Sequence, residues 1–103
     1  MKVYLDDVRE APFGWKRAYW PKDTINLLQK HNVTQLSLDH DLGNDKKGTG
    51  YDVLLWIEDQ VINNGFKPPS ITVHSANISA RHKMDMAIEN INKFYGQSIL
   101  KTG

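Results

Sequence analysis

The sequence predicts a small α/β domain with a mostly parallel sheet, and two observations support this prediction. Short runs of β-favouring residues alternate with segments of helical periodicity, the order typical of βαβ units. Each run passes directly from apolar residues into acids, histidines or a small hydroxyl residue. The carboxyl ends of parallel strands meet in one crevice, where ligands bind. We therefore expect a three-layer α/β sandwich with its candidate site residues gathered at one edge of the sheet.

Three strands and three helices are predicted in alternation. The strands are expected at residues 3–5, 35–39 and 71–74. The helices are expected at residues 21–32, 51–64 and about 79–95. Asp23 or Thr24 is the expected N-cap of the first helix, and Gly96 is expected to end the last one. Residues 98–100 could add a short edge strand. The glycine-rich segment 43–50 lacks a P-loop pattern and is expected to form a mobile flap over the crevice.

Size and composition favour a single domain, residues 1–103, with a modest core. Apolar residues make up 40% and charged residues 24% of the chain, the proportions of a folded protein rather than of a disordered one. The net charge of +1 gives no global attraction to nucleic acid or anionic membrane. The absence of cysteine excludes disulfides, thiolate zinc sites and cysteine nucleophiles. Without an apolar leader or a run of about 20 apolar residues, we expect a cytoplasmic protein with no membrane partner.

Two adjacent carboxylates, Asp6 and Asp7, follow the first predicted strand. They repel each other unless a proton or a cation lies between them. Mg²⁺ is commonly bound through one or two carboxylates together with water. These two acids are therefore candidate metal ligands. The alternative is a pair of loop acids, of which one caps the turn and the other is solvated.

The second predicted strand ends in Asp39, His40 and Asp41. In an extended segment the two acids share a face and the imidazole points the other way. Either carboxylate can orient an imidazole or hold a metal, and imidazole is the side chain that titrates near physiological pH. In the alternative interpretation, Asp41 begins an Asx-turn and His40 packs at the sheet edge.

The third predicted strand runs into His74 and Ser75, and Asn77 follows. Ser75 is small enough to let a ligand approach the backbone. Asn77 suits the N-cap of the last helix, whose free N–H groups form an anion site. Arg81 lies near the start of that helix, where the helix dipole disfavours a cation. A bound phosphate would explain this arginine, and a surface ion pair is the alternative.

The order of these motifs resembles that of response-regulator receiver domains, whose acids bind Mg²⁺ and one of whose aspartates is phosphorylated. The chain departs from ordinary receivers because one βα unit and the final-strand lysine are not found. A narrower resemblance, over about residues 3–92, is to the receiver-like domains proposed to process cyclic phosphates. It is carried by the motifs LDDVREAP (5–12), LDHDLG (38–43), TGYDV (49–53) and HSAN (74–77). One departure is Ala80, where the family pattern has glycine before the arginine.

The resemblance implies a reduced receiver-like, flavodoxin-like topology and a phosphoesterase. The implied substrate is an RNA with a 2′,3′-cyclic phosphate end, or a cyclic nucleotide. The implied acid/base pair is His40 and His74, with Asp39 fixing an imidazole tautomer. The implied ligands of Mg²⁺ or Mn²⁺ are Asp6, Asp7 and Asp41. The implied phosphate and substrate contacts are Arg81, Arg9, Ser75 and Asn77. The alternative is a non-catalytic receiver-like module that binds or sequesters a nucleotide, or binds a protein partner.

Overall fold

A computed structural model describes residues 1–41 and 47–102 of the chain, with the side chains of 98–102 excepted. The elements in chain order are β1 (Lys2–Leu5), β2 (Lys16–Ala18), α1 (Pro21–Lys30), β3 (Gln35–Leu38), α2 (Gly50–Asn64), β4 (Ser70–Val73) and α3 (Ile78–Thr102). All four strands are parallel, in the order β2-β1-β3-β4. This is the flavodoxin-like order without a fifth strand. The predicted α/β class and reduced receiver-like topology are therefore confirmed.

One face of the sheet carries the hydrophobic core. Val3 and Leu5 of β1 pair in register with Leu36 and Leu38 of β3, and all four are fully buried. Each helix adds an apolar stripe to the same core, with the buried residues Leu28, Val53, Leu54, Ile57, Val61, Met84, Ala87 and Ile91. Because α1 contacts α2 and α2 contacts α3, the helices lie side by side over this face.

The opposite face of the sheet bears Tyr4, Ser37 and Thr72, which are neighbours in register on three adjacent strands. The segment that follows β1 supplies an aromatic cover, since the ring of Trp15 packs edge-on against Tyr4 with 6.3 Å between ring centroids. All three helices of the described chain pack on the core face, so the predicted three-layer arrangement takes a reduced form. On the opposite face, the segment with Trp15 covers part of the sheet where a further helix layer was expected.

The strand β2 was not predicted from the sequence. Two of its three residues are cations, Lys16 and Arg17, so no apolar run marks it. Its parallel pairing with β1 continues beyond the strand, where the Asp6 N–H donates to the Ala18 carbonyl at 3.0 Å. The expected loss of one βα unit is therefore only partial. The helix of that unit is missing, and its strand is retained.

Two helix ends differ from prediction. Trp20, not Asp23 or Thr24, occupies the N-cap position of α1, because a proline at the next position pre-sets the helical φ angle. The last helix continues through Gly96, so residues 98–100 are helical and not a strand. A glycine inside a helix costs only about 1 kcal/mol relative to alanine, and no proline follows to stop the helix. Along the described chain, no helix combines the length and hydrophobicity needed to cross a bilayer.

Candidate acidic site at the carboxyl edge of the sheet

Three acids meet at the carboxyl ends of β1 and β3. One carboxylate oxygen from each of Asp6, Asp7 and Asp39 lies within 4.8 Å of the others. Asp6 is buried and the other two are half-buried. The acids come together because β1 and β3 are neighbouring parallel strands that end at the same edge. The structure therefore places Asp39, rather than Asp41, beside the acid pair.

The carboxylate of Asp6 is held by hydrogen bonds on both oxygens. Its Oδ1 accepts from the backbone N–H groups of Val8 and Arg9, each at 2.8 Å. Its Oδ2 lies 3.1 Å from Nε2 of His74. Burial alone would raise the pKa of Asp6, but these hydrogen bonds and the nearby imidazole outweigh burial and lower the pKa below 3.8. Asp6 is thus an anion at neutral pH.

Asp39 has the opposite electrostatic environment. Burial raises the pKa of its carboxyl group above 3.8, and the negative charge of Asp6 raises it further. His74 and the backbone N–H groups of His40 and Asp41 offset part of this effect. A bound divalent cation would offset the remaining repulsion. Three carboxylate oxygens on the ends of rigid strands are a donor set that fits Mg²⁺ or Mn²⁺.

His74 follows β4 and reaches the acidic site across the sheet. Its ring stacks parallel to that of Tyr4, with centroids 4.2 Å apart and planes 4° apart. Its Nδ1 lies 2.7 Å from Oγ of Ser37, so both ring nitrogens have partners. Burial lowers the pKa of His74 below 6.5, and the hydrogen bond and charge of Asp6 oppose that effect only in part.

His40 has a more open environment than His74. Its Nδ1 lies 2.8 Å from Oδ1 of Asp41, a carboxylate that is 61% exposed. None of the hydrogen bonds among the described residues uses Nε2 of His40 or joins His40 to His74. Of the residues predicted to share one pocket, Asp6, Asp7 and Asp39 therefore form a cluster that His74 contacts through Asp6. His40 and Asp41 form a dyad next to it in the chain.

Of the two arginines predicted to bind phosphate, Arg9 is the one held at this edge. Its Nη1 donates to the backbone carbonyl of His74 at 3.1 Å, which links the loop after β1 to the end of β4. Arg81 is exposed in the first turn of α3, and its backbone N–H donates to the carbonyl of Asn77 at 2.9 Å. Within the described residues, the guanidinium of Arg81 makes no hydrogen bond, ion pair or ring contact.

Ser75 and Asn77 shape the turn between β4 and α3. The Asn77 side-chain oxygen accepts from the N–H of Ala80 at 3.0 Å, which confirms the predicted N-cap. The hydroxyl oxygen of Ser75, a buried residue, accepts from the N–H of Asn77 at 3.1 Å. The placement of both side chains is thus explained by the local backbone. Their role as substrate contacts stays a prediction.

The start of α2 is fixed against Asp39. Thr49 and Asp52 form a reciprocal capping box around the first turn. Gly50, the first helical residue, lies so close to Asp39 that an added Cβ would be 2.0 Å from the Asp39 carbonyl oxygen. The predicted flap at 43–50 lies outside the described residues except for 47–50. In that part the capping box and helix α2 begin.

Sequence reasoning missed two residues that contact His74. Ser37 and Tyr4 sit in the middle of strands, where their neighbours in sequence are core residues. Strand alternation places Ser37 on the face opposite the core, which is the available sequence signal. Its contact with His74 depends on the register between β3 and β4, in which Ser37 pairs with Thr72. One sequence does not specify that register.

Comparison with known proteins gives one result at family level. The family described as "Cyclic-phosphate processing Receiver domain" matches residues 1–90. Among curated proteins and solved structures, no significant match was found. The matched range includes the whole sheet and the four motifs on which the resemblance was based. The chain therefore belongs to the family of cyclic-phosphate processing receiver domains.

Proposed function

We propose that this protein hydrolyses a cyclic phosphate, either the 2′,3′-cyclic end of an RNA or a cyclic nucleotide. In this reaction a water oxygen bonds to phosphorus, one ester bond to the ribose breaks, and a proton from water ends on the ribose oxygen. Such chemistry needs proton transfer and positive charge around the phosphoryl oxygens. The observation that carries the proposal is the cluster of three carboxylates beside His74. Family membership supports the substrate class.

The three acids would hold a divalent cation, Mg²⁺ or Mn²⁺. When bound, such a cation lowers the pKa of a coordinated water and neutralises charge on the phosphoryl oxygens. Asp6 contributes a carboxylate whose orientation is fixed by two backbone N–H groups. Asp39 contributes one whose charge is unfavourable without a cation. These two features support a cation-binding role for the cluster.

The two histidines are assigned different tasks. Asp41 engages Nδ1 of His40, an arrangement that orients an imidazole with its other nitrogen available for proton transfer. His74 is engaged on both nitrogens, by Ser37 and Asp6. We therefore assign proton transfer to Nε2 of His40 and the orientation of Asp6 to His74. This differs from the acid/base pair that the family resemblance implies.

Arg9 is the favoured phosphate-binding cation. One of its N–H groups is used by the His74 carbonyl, which keeps the guanidinium at the carboxyl edge of the sheet. A guanidinium carries five N–H donors, so others remain for phosphoryl oxygens. Arg81 is proposed as a second cation for the substrate, because it lies at the N-terminal end of α3, where anions are favoured.

Product analysis would test this proposal. Wild type, His40→Gln and His74→Gln proteins would be incubated with 2′,3′- and 3′,5′-cyclic nucleotides and a cyclic-phosphate-ended RNA, in Mg²⁺, Mn²⁺ or EDTA. We expect ring opening that requires the cation and falls about 10²–10⁴-fold in His40→Gln. His74→Gln should lose less, since its amide can still donate to Asp6.

Two outcomes would contradict these assignments. Equal, large losses in the two variants would restore His74 as an acid/base partner of His40. No turnover on any substrate, together with an increase in melting temperature in the presence of one of them, would indicate the non-catalytic binding module instead. That module is the second class of function that the sequence leaves open.

A further inference from the structure

We propose that Ser37 is a positioning residue of the acidic site: its hydroxyl group donates to Nδ1 of His74, and the imidazole in turn holds Oδ2 of Asp6. This inference deepens the proposed function and rests on it for its catalytic meaning. The geometry itself stands on two distances. Oγ of Ser37 lies 2.7 Å from Nδ1, and Oδ2 of Asp6 lies 3.1 Å from Nε2.

The two partners specify one tautomer of a neutral His74. An ionised carboxylate accepts hydrogen bonds and donates none, so Nε2 of His74 must carry the proton that points at Asp6. Nδ1 then presents a lone pair, and a hydroxyl group is the donor that satisfies it. The reverse tautomer would set the Nε2 lone pair against a carboxylate oxygen. Ser37 and Asp6 therefore favour the same tautomer from opposite ends of the ring.

Packing restricts the ring as well. Tyr4 stacks on its face at 4.2 Å, and the His74 side chain is only 16% exposed. Ser37 is buried too, with 7% of its surface exposed, so its hydroxyl has little access to water as an alternative partner. Rotation of the ring would break two hydrogen bonds and a stacked contact together. The imidazole thus acts as a fixed spacer between the middle of β3 and the carboxylate at the end of β1.

A matched pair of variants isolates the hydroxyl group. Ser37→Thr and Ser37→Val introduce side chains of nearly the same shape, both favoured in strands, and only threonine keeps the hydroxyl. The measurement is the ¹⁵N NMR spectrum of the imidazole nitrogens, recorded at one pH without cation or substrate. His74→Gln identifies the His74 signals among those of the four histidines. Circular dichroism establishes that each variant is folded.

We expect wild type and Ser37→Thr to show an unprotonated, hydrogen-bonded Nδ1 and a protonated Nε2 at His74. In Ser37→Val, the Nδ1 signal should move towards that of a lone pair without a donor, and the Nε2 proton should exchange faster with water. Loss of a group that directly orients a metal ligand typically weakens metal affinity by about 10–100-fold. Ser37 acts one contact further out, through His74, so its effect should lie at or below the lower end of that range. Titration with Mn²⁺ should therefore show weaker binding in Ser37→Val than in Ser37→Thr.

The inference is overturned if His74 carries its proton on Nδ1, or if the valine and threonine variants give the same His74 signals. Should both variants unfold, Ser37→Ala takes their place, and a His74 spectrum identical to wild type in that variant has the same meaning. The NMR experiment uses no substrate, so its result is independent of hydrolysis. If the Ser37 variants differ in the NMR spectrum as expected but the protein hydrolyses no cyclic phosphate, the proposed reaction is wrong and the positioning role of Ser37 still stands.

Discussion

At the scale of single residues, the surroundings shift the pKa values of two aspartates of the site in opposite directions. Asp6 accepts two backbone hydrogen bonds and contacts an imidazole, so its ionised form is favoured. Asp39 is ionised beside Asp6 at a cost, as the raised pKa of its carboxyl group indicates. The fold therefore stabilises the ionised form of Asp6 and destabilises that of Asp39. A bound cation would offset the repulsion between the charges of Asp6 and Asp39 and so favour the ionised form of Asp39.

This contrast predicts opposite effects of two conservative substitutions. Without added cation, Asp39→Asn should leave the free energy of unfolding unchanged or raise it by about 1 kcal/mol, because a repulsive charge is removed. Asp6→Asn should lower it by about 1–3 kcal/mol, because a charged acceptor of backbone N–H groups is lost. Urea denaturation measures both values. A loss in Asp39→Asn as large as that in Asp6→Asn would contradict the prediction.

Both variants should also lose the stabilisation that a bound cation provides. A ligand that binds only the folded state raises the free energy of unfolding by an amount that grows with its concentration. Thermal unfolding of the wild type should therefore shift upward with Mn²⁺, and the two asparagine variants should shift little. A full shift in Asp39→Asn would show that this carboxylate is not a ligand.

His74 predicts a dependence of stability on pH. Its folded-state pKa lies below 6.5, so between that pKa and about 6.5 the unfolded chain binds a proton that the folded protein does not. Stability contributed by His74 is therefore present above 6.5 and is lost as the pH falls towards the folded-state value. Asp6 acts in a separate, more acidic window, since its contribution is lost only as pH falls below 3.8.

The measurement compares wild type with His74→Gln, which has no titrating group at this position. Between pH 7.5 and 5.5, the free energy of unfolding of the wild type should fall more steeply, by at most about 1.4 kcal/mol per pH unit for one proton. The experiment is made without divalent cation, so that only protons are exchanged. Parallel curves for the two proteins would show that His74 does not carry this dependence.

At the scale of elements, the close contact between α2 and the end of β3 requires a glycine. The first turn of α2 is fixed by its capping box, and the Asp39 carbonyl lies where a Gly50 side chain would begin. Gly96 provides the contrast, because it lies within α3 and, apart from its chain neighbours and the backbone of its own helix, no atom of the described residues lies within 4 Å of the position that its Cβ would occupy. The same substitution should therefore have opposite effects in the two helices.

Gly50→Ala should lower the free energy of unfolding by several kcal/mol and weaken Mn²⁺ binding, because the helix must move away from Asp39. Gly96→Ala should raise it by about 0.5–1 kcal/mol, since alanine is the better helix former. Thermal and urea unfolding of the two variants give the comparison. A Gly50→Ala protein as stable as wild type would mean that the contact relaxes at little cost.

Element boundaries show where sequence reasoning succeeds. The second helix was predicted well because its apolar stripe is regular and Gly65 ends it in the left-handed conformation, with φ of 65°. The strand Lys16–Ala18 was missed because backbone pairing with β1, not its side chains, defines it. The predicted end of the last helix was wrong, because Gly96 lowers helix propensity without preventing a helix. Local patterns therefore specify an element best when packing and capping agree.

At the scale of the whole molecule, the three helices of the described chain cover one face of the sheet and none of them covers the opposite, helix-free face. The two faces have different roles. The covered face holds the core, whose inward positions follow from alternation and helical period. The approach of Asp6 and Asp7 to the end of β3 was predictable as well, because parallel strands end at one edge. The predicted third metal ligand was Asp41, however, whereas the structure places Asp39 there. The different environments of His40 and His74 could not be predicted, because the contacts of His74 depend on strand register and on side chains distant in sequence.

The helix-free face also connects a tryptophan to the acid cluster through three contacts. Trp15 packs on Tyr4, Tyr4 stacks on His74, and His74 contacts Asp6. Of the remaining tryptophans, Trp20 is the N-cap of α1 and Trp56 lies in α2. In a Trp20→Phe/Trp56→Phe protein, a single tryptophan remains, and its emission, excited where tyrosine does not absorb, should change as Mg²⁺ is added. An unchanged spectrum in a protein whose melting temperature does rise with Mg²⁺ would contradict this expectation.

The protein would then carry an intrinsic optical sensor of ligand binding. Because the signal depends on a stacked ring rather than on catalysis, it should persist in His40→Gln and vanish in Asp39→Asn. Fluorescence would thus separate occupancy from turnover without any added dye. The segment after β1 carries Trp15 on the helix-free face, so a fluorescence change of this side chain would report ligand binding at the acid cluster.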